Sequence, residues 1–124
     1  MTKFFRCKHC KNLVGKVIDT DAEMLCCGEA MEGLEPNTVE ASFEKHLPAV
    51  SVVNSVITVN VGDVDHPMEE GHYIEFIYVE TKSGGQRKSL KVGEAPQAQF
   101  SIIDDEATAV YAYCNLHGLW KTEL

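Results

Sequence analysis

Ser55-Val56-Ile57-Thr58-Val59-Asn60-Val61-Gly62-Asp63 decides the fold class. Ile57, Val59 and Val61 alternate with Thr58 and Asn60, the period of a strand with one apolar face. β-Branched side chains suit that pleated surface. Just upstream, Val50-Ser51-Val52-Val53 has the same texture. Downstream, Tyr73 to Glu80 is aromatic and β-branched, with Ile74, Phe76 and Tyr78 on one predicted face. Ser83-Gly84-Gly85 reads as a hairpin turn. Residues 89–92, 100–103 and 109–114 complete the set, and no long amphipathic helix is evident. About seven short strands between turn residues predict a small antiparallel, immunoglobulin-like β-sandwich.

The first 36 residues differ. Cys7-x2-Cys10 and Cys26-Cys27 bring four thiols into a unit too short to bury a useful core, so it needs a metal staple. Val17-Ile18 reads as a short strand and Asp19-Thr20-Asp21 as a turn. Adjacent residues on an extended chain point to opposite faces, so Cys26 and Cys27 reach one ion only if the backbone twists sharply, with help from Gly28. The product is a distorted tetrahedral S4 site. On spacing alone, structural zinc and iron fit equally well. A Cys26–Cys27 disulfide is a poorer reading, because it leaves Cys7 and Cys10 without partners. His9, inside the knuckle, is expected to be exposed. Glu35-Pro36-Asn37-Thr38 reads as a linker, which predicts a domain of residues 1–36 and a second of 37–124.

The 124 residues carry a net charge of −8. That balance argues against nucleic acid and anionic membrane surfaces as partners, and an anionic substrate would need a local cation. The opening Met1-Thr2-Lys3-Phe4-Phe5-Arg6-Cys7 has no apolar core of a signal peptide, so a cytoplasmic address is expected. In that setting thiols are metal ligands before they are disulfides.

Four of the five histidines, His46, His66, His72 and His117, fall in or beside the sandwich segments together with Cys114, the one cysteine outside the N-terminal cluster. Imidazoles plus one thiolate suit a redox-active transition metal, and five protein ligands leave a position for a small substrate. Taken singly each residue has a plainer reading. A lone histidine is usually a surface or hydrogen-bonded residue, Cys114 alternates with Val110 and Ala112 as a buried small hydrophobe would, and Glu44-Lys45 could be a solvated pair. Tyr111, Tyr113 and Trp120 read as core or rim aromatics, and Glu69-Glu70 as a solvated loop.

The joint pattern is more specific. Cys7-x2-Cys10 with Cys26-Cys27 resembles desulforedoxin, whose centre is Fe(SCys)4. Glu44-Lys45-His46, His66-Pro67-x4-His72 and Cys114-Asn115-x-His117 resemble the iron-site motifs of superoxide reductase. Together, in this order, they resemble the two-iron desulfoferrodoxin family over essentially the whole chain. The resemblance implies two iron ions, an Fe(SCys)4 centre on Cys7, Cys10, Cys26 and Cys27 and an Fe(His)4(Cys) centre. In the latter His46, His66, His72 and His117 would be equatorial and Cys114 axial. It implies one-electron reduction of superoxide to hydrogen peroxide at the open position trans to the sulfur. Glu44 would fill that position in the resting ferric state, and Lys45 would draw in the anion. Rubredoxin or a similar small redox protein would return the electron, and a homodimer is expected. A closed six-ligand centre would instead make the chain a non-catalytic electron-transfer protein. A zinc-stapled binding module is a further reading.

Overall fold

The computed structural model describes residues 2–124. The chain divides into two compact units, Met1–Glu35 and Pro36–Leu124.

The first unit has almost no apolar interior; Phe4 and Cys7 are its buried residues. Strands β1 (Phe4–Arg6), β2 (Leu13–Gly15) and β5 (Glu32–Gly33) form a sheet of order β2-β1-β5. β3 (Leu25–Cys26) and β4 (Glu29–Ala30) form a separate hairpin. Its turn is Cys27-Gly28, with φ of 53° and 76°. Two consecutive positive φ values define a type I′ turn, whose twist matches that of the flanking strands. This is the sharp twist that the adjacent cysteines demand. Val17-Ile18 is not a strand. It is a bend in which Val17 is 99% and Ile18 80% exposed, so no neighbour pairs with it or covers it.

The second unit is a seven-stranded antiparallel sandwich. After a single helical turn α1 (Phe43–His46) come β6 (Pro48–Val53), β7 (Val56–Val61), β8 (Ile74–Thr81), β9 (Gly84–Ser89), β10 (Gln97–Ser101), β11 (Ala107–Cys114) and β12 (Gly118–Glu123). One sheet has the order β10-β7-β6 and the other β12-β11-β8-β9. Ile57, Val59 and Val61 of β7 face Ile77 and Val79 of β8, Val110, Ala112 and Cys114 of β11, and Phe100 of β10 in one core cluster.

Three strand expectations shift. The turn of the β8–β9 hairpin is Lys82-Ser83, with Gly84 and Gly85 already paired to Thr81 and Glu80. Gly85 is needed because the Tyr78 ring lies across it, where a side chain would collide. β9 therefore runs over Gly84–Ser89 rather than 89–92, every residue of it exposed and without an apolar signal. The strand expected at 100–103 is Gln97–Ser101.

The face expected of Ile74, Phe76 and Tyr78 splits. Along β8 and β11 the register runs Val110 to Val79, Tyr111 to Tyr78, Ala112 to Ile77 and Tyr113 to Phe76, then jumps to Cys114 opposite Ile74. One extra residue in β8 makes this a bulge, and a one-residue shift moves a side chain to the other face. Ile74 therefore joins Cys114 in the core, whereas Phe76 stacks on Tyr113 with centroids 5.7 Å apart. The expected linker is also fastened. Asn37 N–H donates to the Leu119 carbonyl, Asn37 Nδ2 donates to the Lys121 carbonyl, and Lys121 N–H donates to Asn37 Oδ1, which pairs the segment with the edge of β12.

Candidate metal centres

At one end of the sandwich four loops and strand ends converge. α1 supplies His46, the loop after β7 supplies His66 and His72, β11 ends on Cys114, and the turn to β12 carries His117. Their donor atoms all lie within 4.8 Å of one another. Gly62 lets α1 come this close, since a Cβ there would stand 2.7 Å from both the Glu44 and the Leu47 carbonyl oxygens.

The rings form a square rather than a tetrahedral cluster. Centroids of neighbours are 4.6 Å apart for His46–His66 and His66–His72, and 5.0 Å for His46–His117 and His72–His117. The diagonal His46–His72 is longer, 6.4 Å. His46 Nε2 lies 3.1 Å from His66 Nε2 and 3.2 Å from His117 Nδ1. With metal–nitrogen bonds of about 2.1 Å, neighbouring nitrogens are about 3.0 Å apart on a square and about 3.4 Å on a tetrahedron. The distances favour the square. Cys114 Sγ, 3.8 Å from His117 Nδ1, is the fifth donor.

Hydrogen bonds to the outer nitrogens set the tautomers. His46 Nδ1 lies 2.7 Å from the Ser42 carbonyl and His66 Nδ1 2.7 Å from the Pro67 carbonyl. A carbonyl oxygen only accepts, so both rings carry their proton on Nδ1 and turn a bare lone pair inward. His72 Nε2 is buried with no hydrogen-bond partner. An unpaired buried polar atom costs roughly 1–3 kcal/mol, and lone pairs facing each other add repulsion. A cation in their midst satisfies them all, so the residues fit a metal ion. Burial lowers His46 and His72 from the ordinary imidazole value and His66 down to about 4, which favours the neutral form that ligation needs.

Cys114 is fully buried, and burial pushes its thiol up against the opposing backbone N–H groups of His117 and Leu116. The His117 N–H donates to its sulfur at 3.3 Å. Trp120, which by sequence reads only as a core or rim aromatic, braces two ligands. Its ring lies 4.8 Å from that of His46, and its Nε1 donates to the His117 carbonyl at 3.1 Å.

Glu44 and Lys45 flank His46 on α1, but at a helical step of about 100° they point elsewhere. Both are exposed while His46 is buried. The Lys45 ammonium is near enough to lower the proton affinity of both His46 and His72. The Glu44 carbonyl accepts from the Val64 N–H at 3.0 Å, and no hydrogen bond joins its carboxylate to the five donors.

The first unit holds the second donor set, Cys7, Cys10, Cys26 and Cys27. Backbone N–H groups of His9 and Cys10 donate to Cys7 Sγ at 3.4 and 3.5 Å, forming the knuckle. Cys10 and Cys26 sulfurs are 3.6 Å apart. A tetrahedron with metal–sulfur bonds of about 2.3 Å has edges of about 3.8 Å, so the spacing fits an S4 ion. The Cys10 N–H above all, opposed by burial, draws Cys7 down to about 6, whereas crowding by Cys10 and Cys7 pushes Cys27 up to about 12. Four thiolates at one point repel, and only a bound cation lets all of them ionise. His9 is exposed, as expected, and its Nε2 pairs with the Glu29 carboxylate across the two cysteine turns.

The sequence model of desulfoferrodoxin matches residues 38–123. The chain belongs to the desulfoferrodoxin family. A desulfoferrodoxin homolog from Archaeoglobus fulgidus is 41% identical over 118 residues, which are 95% of this chain and 94% of the relative. The crystal structure of the superoxide reductase from Treponema pallidum superposes with a TM-score of 0.84 at 35% identity, covering 99% of both chains. A superoxide reductase of the 1Fe type from Giardia intestinalis covers 65% of this chain and 99% of its own, with a TM-score of 0.55 and 30% identity. The group of four cysteines and the group of four histidines with one cysteine match the two-iron pattern of the desulfoferrodoxin family.

Proposed function

We propose that this desulfoferrodoxin is a superoxide reductase, which reduces superoxide by one electron to hydrogen peroxide and so removes a reactive oxygen species. The observation that carries the reading is the square of four imidazoles, two with their lone pairs fixed inward, and one buried sulfur beside it. A set of five donors leaves one of six positions for substrate, whereas the S4 set is saturated.

A ferrous ion held by His46, His66, His72, His117 and Cys114 would supply the electron, with the thiolate raising its electron density. The protein's own residues do the rest. The Ser42 and Pro67 carbonyls hold the His46 and His66 rings in their ligating tautomers. His72 and His117 are only partly buried, which leaves solvent and a small anion a way in. Lys45 opposes the repulsion that a chain of net charge −8 exerts on an anion, and its field reaches His46 and His72. Glu44, next to it on α1, would supply a carboxylate oxygen to the oxidised ion. Residues 1–36 form a desulforedoxin-like Fe(SCys)4 domain on Cys7, Cys10, Cys26 and Cys27 that acts as an electron relay or accessory centre, and residues 37–124 form the catalytic domain.

The donor is rubredoxin or a similar small redox protein, the working assembly a homodimer and the compartment the cytoplasm. No helix among the described residues is long and apolar enough to cross a membrane.

The deciding experiment is iron analysis with optical spectra before and after a stoichiometric dose of superoxide. The proposal requires two irons per chain and a long-wavelength thiolate-to-iron band that grows on oxidation without oxygen release. Oxygen release would make the protein a dismutase, and an iron that neither oxidises with superoxide nor binds azide would make it an electron carrier.

A further inference from the structure

The four histidines are not held alike. The outer nitrogens of His46 and His66 are fixed by carbonyl acceptors, and His117 is fixed through its own carbonyl by Trp120. No comparable acceptor stands at His72 among the described residues, and its Nε2 is buried without a hydrogen-bond partner. A metal-ligating histidine usually depends on such a partner, and loss of one typically costs 10–100-fold in affinity. His72 must be oriented by its backbone instead. That backbone is a tight loop, in which the Glu69 and His72 N–H groups each donate to the other's carbonyl, at 2.9 and 3.0 Å.

Asn115 grips this loop from the opposite side. The Tyr73 N–H donates to Asn115 Oδ1 at 2.9 Å, and Asn115 Nδ2 donates to the Gly71 carbonyl at 3.1 Å. Its own N–H donates to the Tyr73 carbonyl at 3.2 Å. The bonded groups lie on the residues immediately before and after His72. Asn115 in turn follows Cys114, so one amide ties the strand end that carries Cys114 to the loop that carries His72. Only an amide side chain offers an acceptor and a donor at this reach; aspartate supplies the acceptor alone.

We infer that Asn115 is a positioning residue that orients His72 toward the metal, in place of the carbonyl partner that His72 lacks. The inference rests on the His4Cys metal reading.

The test is a double-mutant cycle read by Co(II) binding to the iron-free full-length protein. Affinity comes from competition with a chelator, and the d–d and thiolate-to-cobalt bands report the geometry. N115A is expected to weaken Co(II) binding at the His4Cys set 10–100-fold. It should also shift those bands and leave the S4 site unchanged. N115D, which keeps the Tyr73 bond, should fall between N115A and the parent. In an H72A background N115A should cost almost nothing more, because the ligand it orients is gone. An equal loss with and without His72, or a parent-like affinity and spectrum in N115A, overturns the inference. In the metal-free protein the Tyr73 amide should exchange with solvent slowly in the parent and quickly in N115A; equal exchange also overturns it. Failure of the parent itself to bind cobalt through Cys114 would instead refute the metal reading.

Discussion

His46 and His66 face each other through Nε2 atoms 3.1 Å apart, and neither atom carries a proton. Both protons sit on the far sides of the rings, where Ser42 and Pro67 carbonyls accept them. Such a contact is repulsive in an empty protein and becomes favourable around a cation. Holding the rings in this geometry without a cation therefore carries a cost that metal binding offsets.

That cost has a pH signature in metal-free protein. His66 is lowered from 6.5 to about 4 by burial, with His46 and His72 lowered in the same direction. Between those values the unfolded chain takes up protons that the folded chain refuses, so stability is full above pH 6.5 and declines as pH falls toward 4. The expected loss from His66 is on the order of 2 kcal/mol. Urea midpoints of the apoprotein should drop more steeply from pH 7 to 4.5 than those of His66→Gln; parallel slopes would show that His66 is not the titrating group.

Cys114→Ser should abolish the thiolate-to-iron band and the reductase activity while leaving the sandwich folded. Cys114 is packed in the core opposite Ile74 of β8, and serine fills nearly the same volume. Burying the hydroxyl costs about 1–3 kcal/mol, which a domain of this size tolerates. An iron-loaded variant that still reduced superoxide at the parental rate would remove the axial thiolate from the chemistry.

Lys45→Ala should slow the second-order reaction with superoxide by roughly tenfold and flatten its dependence on salt, because one cation near the site does the steering. Screening over about 8 Å at physiological ionic strength makes the effect largest in dilute buffer. Pulse radiolysis at two ionic strengths reads both quantities, and unchanged values at each would make Lys45 a bystander.

Glu44→Ala should leave encounter with superoxide nearly intact, because Glu44 acts on the oxidised protein. The resemblance of Glu44-Lys45-His46 to the family's iron-site motif motivates the assignment. The ferric spectrum should change and azide should bind more tightly. Identical azide titrations of variant and parent would exclude Glu44 from the sixth position.

Cys27→Ser should erase the S4 spectrum and keep the reaction with superoxide, since a sulfur-saturated ion has no position for substrate. The φ of 53° at Cys27 tolerates serine no worse than cysteine, so the turn should persist. If iron is normal in the His4Cys site yet superoxide no longer oxidises it, the two centres are not separable in the way proposed.

Much of the fold is legible in the residues. The strands that bury one face, such as Val56–Val61, announce themselves by alternation. Gly84–Ser89 does not, because all six of its side chains are exposed and its place comes from backbone pairing with β8. Gly118–Glu123 escapes a sequence reading because Leu119 and Trp120 are both buried, which breaks the two-residue rhythm. Val17-Ile18 misleads for the opposite reason, as β-branched residues with nothing to pair against.

For the metal centres, the sequence by itself singled out the nine candidate ligand residues, because ligand chemistry is a property of residue type. It also required a twisted turn at Cys26-Cys27-Gly28, because adjacent side chains on an extended strand diverge. Only the tertiary structure decided that the four imidazoles make a square, that His117 turns Nδ1 inward while His46 and His66 turn Nε2, and that Asn115 and Trp120 brace the ligands. Those facts depend on contacts between segments as far apart as Ser42 and Trp120, and on a bulge that shifts Cys114 by one register position. A ring's tautomer is fixed by whichever carbonyl the fold brings to its far side, and local sequence carries no record of that neighbour.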